Sequence, residues 1–164
     1  MEEAKANLLI IEDDLDIAEM LNAYFRMQGY DVTVVNWGED GVKTCLATPP
    51  DLVILDVRLP DIDGFEVATR LRANHRTRAL PIIFLTEKRE RSDRLQGLSL
   101  KAEDYITKPF DIQELRLRVS NALERNRRSR LTHIVTGLPE GDLVDENLQD
   151  CLNDPACCVS VISL

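Results

Sequence analysis

Leu52-Val53-Ile54-Leu55-Asp56-Val57-Arg58-Leu59-Pro60-Asp61-Ile62-Asp63-Gly64 is the stretch that decides the fold. Its first four residues are a short, continuous apolar run, the pattern of a strand covered on both faces. The run stops at a carboxylate, Asp56. After Gly64 the period changes, and Phe65, Val67, Ala68 and Leu71 recur at helical spacing. Asp61 and Asp63, between the two patterns, read as a turn residue and a helix cap. A strand buried on both faces and followed at once by a helix is half of a βαβ unit.

The same alternation extends in both directions. Upstream, Leu8–Ile11 reads as a strand and Ile17, Met20, Leu21, Tyr24 and Phe25 as a helix that stops near Gly29. Asp14 and Asp16 read as helix-start residues. Val32–Val35 is a second strand, and Val42, Cys45 and Leu46 mark a second helix. Downstream, Pro81–Leu85 is a fourth strand, Leu95 and Leu98 mark a fourth helix, and Tyr105-Ile106 is a fifth strand. Ile112, Leu115, Val119 and Leu123 mark a long fifth helix. The pattern predicts an α/β fold: a doubly wound, five-stranded parallel sheet with helices on both faces. Right-handed crossovers leave few topologies. The working site of such a sheet lies beyond the carboxyl ends of its strands, at a switch point.

The chain has 164 residues, enough for one domain plus an appendage, and its 44% hydrophobic content excludes wholesale disorder. Twenty bases against 29 acids give a net charge of −9, which argues against direct nucleic-acid binding. No apolar run approaches the roughly 20 residues of a membrane span. Met1-Glu2-Glu3-Ala4-Lys5 lacks a secretory pattern, so a cytoplasmic location is expected. Residues 131–164 carry six acids and no Lys or Arg, leaving 23 acids against 20 bases before them. With Arg125, Arg127, Arg128 and Arg130 crowded just ahead as a solvated helix end, this break predicts a domain over 5–128 and an extension over 129–164. Cys151, Cys157 and Cys158 lack zinc-finger spacing; Cys45 falls on an apolar helix position and reads as core. His75 reads as surface, and Trp37 as a partly buried packing residue.

Chemistry gathers at the strand ends. Glu12 and Asp13 follow the first strand, Asp56 the third and Thr86 the fourth, and Lys108 lies two residues beyond the fifth. Neighbouring carboxylates raise one another's pKa unless a cation compensates, and a hard divalent ion such as Mg²⁺ does so through oxygen ligands. An ammonium grips an anion as a compact point charge. A carboxylate between them can act as a nucleophile toward phosphorus while the two cations neutralise charge on the transferring group.

Ile11-Glu12-Asp13-Asp14, Leu55-Asp56 through Gly64, Leu85-Thr86 and Asp104-Tyr105-Ile106-Thr107-Lys108-Pro109-Phe110 closely resemble the signatures of response-regulator receiver domains, over roughly residues 7–127. The resemblance implies a flavodoxin-like (βα)₅ sandwich that takes a phosphoryl group from a sensor histidine kinase or phosphotransfer protein. It makes Asp56 the phosphoacceptor. Asp13, Asp56 and the backbone carbonyl of Arg58 would hold Mg²⁺, for which Mn²⁺ could substitute, with Glu12 acting through a metal-bound water. Thr86 and Lys108 would bind phosphoryl oxygens, Tyr105 would be the switch aromatic turning inward with Thr86, and Lys108-Pro109 would be a cis bond. No separate substrate turnover is expected. Arg94, Asp104, Glu114 and Arg118 match charged positions through which related receivers dimerise across the fourth helix, fifth strand and fifth helix.

Some positions depart from the pattern. Glu87 stands where the family usually has a small residue, and its long acidic chain is expected to crowd or repel a phosphodonor. Arg58 and Lys88 flank the approach of water to an acyl phosphate, which predicts slow hydrolysis. Lys101 replaces a usual glycine. In the extension, Leu131-Thr132-His133, Val135-Thr136-Gly137-Leu138-Pro139 and Leu143–Leu148 resemble the opening of a diguanylate cyclase (GGDEF-type) domain, with Val159–Leu164 as its first strand and the nucleotide-binding remainder missing. Three other functions remain. A haloacid-dehalogenase-type hydrolase needs an Asp-x-Asp pair on the first strand, and a flavodoxin-like carrier needs a Ser/Thr/Gly-rich loop where Glu12-Asp13-Asp14 stands. A pseudo-receiver working unphosphorylated through protein contacts is the principal alternative.

Overall fold

Five parallel strands pair in the order β2-β1-β3-β4-β5 in the computed structural model, which describes residues 5–87 and 104–131, with side chains up to 128. The elements run β1 (Asn7–Ile11), α1 (Leu15–Met27), β2 (Asp31–Val35), α2 (Gly38–Ala47), β3 (Leu52–Asp56), α3 (Gly64–Ala73), β4 (Ile82–Thr86), β5 (Asp104–Thr107) and α4 (Ile112–Leu131). The expected fourth helix with Arg94, together with Lys88, Lys101 and the cyclase-like segment, lies outside the described residues. The first compact unit closes at Leu123, within α4.

Strand alternation sorts the core into two layers. Leu8, Ile10, Leu52, Ile54, Ile83 and Leu85 face one way, against Leu21 and Phe25 of α1 and Leu115 and Val119 of α4. Leu9, Ile11, Val53, Leu55, Ile82 and Phe84 face the other, against Val42 and Cys45 of α2 and Phe65, Val67, Ala68 and Leu71 of α3. Because β1, β3 and β4 are covered on both sides, their sequences read as unbroken apolar runs. α1 is capped by the Asp14 carboxylate, which accepts the Asp16 and Ile17 N–H groups. It ends where Gly29 takes φ +92°, a left-handed conformation that a side chain would disfavour.

Two expectations fail locally. Met20, placed on the apolar face of the first helix, is 46% exposed, because the stripe that meets the core is filled by Ile17, Ala18, Leu21, Tyr24 and Phe25. Trp37 is 50% exposed rather than packed, since it stands at the N-cap of α2, outside either core layer.

Cys45 is fully buried, and that burial pushes its thiol up to about 12. Iodoacetamide is therefore expected to leave Cys45 untouched in the native protein and to modify it only after denaturant is added. Peptide mass mapping checks this; native labelling would contradict the placement.

Candidate functional site

The strand order reverses between β1 and β3, so their carboxyl ends flank the crevice where a doubly wound sheet places its site. Glu12 and Asp13 leave the end of β1. Asp56 is the last residue of β3 and Thr86 the last of β4, each one position earlier relative to its strand than the apolar runs suggest. The ladder explains the extension: Asp56 pairs with Leu85 across the two strands, and the Val57 N–H donates to the Leu85 carbonyl at 3.0 Å. Both side chains therefore stand on regular strand backbone. Lys108, just past β5, donates its own N–H to the Thr86 carbonyl at 2.7 Å.

These elements bring one ammonium and three carboxylates together. Lys108 Nζ donates to both Glu12 carboxylate oxygens at 2.8 Å and to Asp56 Oδ2 at 2.7 Å. Asp56 Oδ1 accepts the Arg58 N–H at 3.0 Å. Glu12 and Asp56 are buried and Asp13 is exposed; one carboxylate oxygen from each lies within 4.8 Å of the others. Burial pushes Glu12 up to about 7, the negative charge of Asp56 adds to that rise, and the Lys108 hydrogen bonds oppose it. Lys108 is held above the usual lysine value: burial works against its charge, but the hydrogen bonds it donates to Asp56 and Glu12 outweigh it. A single ammonium does not balance three carboxylates. The remaining deficit and the all-oxygen donor set suit a hard divalent cation such as Mg²⁺, so the residues fit that ion.

Around this centre, Thr86 is buried and Tyr105 is half-buried with its ring stacked on Phe84, centroids 5.1 Å apart and planes 18° apart. Lys108-Pro109 is a cis peptide bond. The Glu87 carboxylate pairs with the Arg58 guanidinium at 3.3 Å, so the expected free acidic obstacle is half of an exposed ion pair. Arg118 pairs with Asp104 and Glu114 of its own chain, so three of the expected dimer charges meet within one molecule. Asp63 caps α3 through the Glu66 N–H at 2.8 Å. Two contacts carry no local signal in the sequence because they join residues more than twenty positions apart: Asn36 Nδ2 donates to the Glu12 carbonyl at 2.8 Å, and the Asp61 carboxylate accepts the Gly38 and Glu39 N–H groups at 2.9 and 2.8 Å.

A model of the response regulator receiver domain matches residues 8–120. The chain belongs to that family. It is 40% identical over 121 residues to the DNA-binding dual master transcriptional regulator RpaA of Synechocystis, covering 74% of this chain and 50% of that protein. It is likewise 40% identical over 119 residues to the alkaline phosphatase synthesis transcriptional regulatory protein PhoP of Bacillus subtilis, covering 73% and 49%. The chain thus spans about half the length of these curated relatives. Among solved structures, a response regulator from Chloroflexus aurantiacus superposes with a TM-score of 0.70 at 40% identity, covering 74% of this chain and 99% of that one. The receiver domain of the sensor histidine kinase PA1611 from Pseudomonas aeruginosa, with a magnesium ion coordinated in its active site cleft, gives 0.68 at 31% identity, covering 74% and 99%.

This is a receiver domain of two-component signalling, related to the transcriptional regulators RpaA and PhoP. The expectation against nucleic acid needs correcting. A net charge of −9 describes this chain alone, whereas RpaA carries a DNA-binding description and matches it over only half its length. Among the described residues, no helix is long and apolar enough to cross a membrane.

Proposed function

We propose that Asp56 of this receiver accepts a phosphoryl group from the phosphohistidine of a sensor histidine kinase or phosphotransfer protein. The observation that carries the reading is a buried carboxylate at a strand end, 2.7 Å from an ammonium, with two more carboxylates gathered beside it. A carboxylate oxygen of Asp56 forms the new bond to phosphorus as the phosphorus–nitrogen bond of the donor breaks. The electron pair stays with the imidazole, which takes up a proton. Lys108 neutralises charge on the transferring oxygens, and the Thr86 hydroxyl donates to one of them. Asp13, Asp56 and the Arg58 carbonyl would hold Mg²⁺, or Mn²⁺ in its place, with Glu12 acting through a bound water. The metal supplies charge neutralisation when bound.

Inward movement of Thr86 and Tyr105 would then alter the face built from β5 and α4, where Asp104, Glu114 and Arg118 lie, and this is the proposed dimer face. Such a protein works in the cytoplasm and turns over no separate substrate. Residues 129–164, after a domain over 5–128, fit the start of a GGDEF-like output domain. The test is intact mass after incubation with acetyl phosphate and Mg²⁺. A gain of one phosphoryl group, lost with EDTA, is expected; no gain would leave the phosphorylation-independent interaction module as the reading.

The ion pair between Arg58 and Glu87 sharpens the expectation of slow hydrolysis. It spans the ends of β3 and β4, which carry Asp56 and Thr86, so it screens the acyl phosphate from water as a unit. An exposed pair is worth about 0–1 kcal/mol, which bounds the effect at about fivefold. Arg58→Ala and Glu87→Gln are each expected to speed dephosphorylation by a few-fold, less so in high salt. Unchanged rates in both variants would remove the screening role.

A further inference from the structure

The Asp61 contact with α2 closes a ring around the metal-binding residues. From Glu12, the ring passes through the Glu12 N–H to the Val35 carbonyl at 3.1 Å and back through Asn36 Nδ2 to the Glu12 carbonyl at 2.8 Å. Two residues later α2 begins, and its Gly38 and Glu39 N–H groups are both held by Asp61. Asp61 lies three residues beyond Arg58, whose N–H binds Asp56 Oδ1, and Lys108 returns the ring from Asp56 to Glu12.

Two features mark the Asp61 junction as a built joint. The residue at the N-cap of α2, Trp37, makes no side-chain cap of its own, so the cap comes from another loop. Gly38 has no side chain, and a Cβ there would lie 2.6 Å from Ile62 Cγ1, so the glycine lets the β3–α3 loop seat directly on the helix start. Polar and steric contacts thus fix the same point. Although burial works the other way, the N–H donors of Glu39 and Gly38 hold the Asp61 carboxyl below its usual value, so it is charged at neutral pH and suits the positive end of α2.

We propose that Asp61 is a positioning residue for magnesium: by anchoring the β3–α3 loop to α2, it holds the Arg58 carbonyl where the ion binds. This rests on the proposed reading that Asp13, Asp56 and the Arg58 carbonyl are the ligands. A partner hydrogen-bonded to a metal ligand costs about 10–100-fold in affinity when removed. Asp61 bonds α2 and acts on the Arg58 carbonyl through the loop, so its loss belongs at or just below the lower end of that range.

The experiment is calorimetric titration of the full chain with MgCl₂ alone, beside a thermal melt in EDTA. Asp61→Ala is expected to weaken Mg²⁺ binding by roughly five- to tenfold. Asp61→Asn, which keeps one accepting oxygen and the cap, is expected to lose only a few-fold and to be the informative variant should the alanine fail to fold. A purely structural cap would lower the melting temperature and leave Mg²⁺ affinity within about twofold of wild type for both variants, and that result overturns the proposal. Wild-type protein that binds no Mg²⁺ would instead overturn the ligand reading on which it rests.

Discussion

Asp56→Asn is expected to reduce phosphoryl incorporation from one group per chain to none detectable by intact mass, with acetyl phosphate or a phosphohistidine donor and with Mg²⁺ present. The substitution is close in shape. Asparagine can still accept the Arg58 N–H through its amide oxygen, so the turn after β3 keeps its hydrogen bond. What disappears is the charge that makes the oxygen nucleophilic. The fold should survive, as a melt of the same sample reads: neutralising Asp56 relieves its repulsion of Glu12, which offsets the loss of the Lys108 bond to Oδ2, and Lys108 keeps both Glu12 oxygens. A cooperative melt near that of wild type in EDTA, together with complete loss of the mass gain, identifies the acceptor. Retained incorporation at another carboxylate would show that the crevice is used differently.

Much of this was legible in the sequence because strands buried on both faces advertise themselves. Leu8–Ile11, Leu52–Leu55 and Ile82–Leu85 are apolar without interruption, and the reactive side chains sit at the strand ends, where the chain turns polar. Linear spacing is therefore enough to assemble Glu12, Asp13, Asp56, Thr86 and Lys108. It fails where a residue's partner is set by how separate loops meet. Asp61 reads locally as a turn residue, yet its carboxylate caps a helix 22 and 23 positions upstream. Glu87 reads as a lone acid, yet Arg58 reaches it from another strand end. Arg118 and Asp104 fit an intermolecular pattern and an intramolecular one equally well in sequence; the fold brings them together in one chain, and Glu114 joins them from one helical turn away.

Lys108→Met should have the other large effect, one that depends on metal and pH. Methionine preserves much of the length and volume of the lysine stem but leaves Glu12 and Asp56 buried side by side with their shared cation gone. Removing one partner of a buried pair typically costs about 3–5 kcal/mol, and protonation of Glu12 offsets part of that here. The sign follows from linkage. Glu12 in the folded protein is already up at about 7 against an ordinary 4.5, and losing the lysine removes what was holding it down. The folded state then keeps a proton that the unfolded chain releases, so this contribution to stability is present below 4.5 and is lost as pH rises through the folded value. In EDTA the variant should melt well below wild type at pH 8 and recover much of the difference at pH 6. Mg²⁺ should restore stability at pH 8, because a divalent ion supplies the missing positive charge, while phosphoryl uptake stays slow for want of the ammonium. A melting deficit indifferent to both pH and Mg²⁺ would mean that Lys108 acts through packing alone.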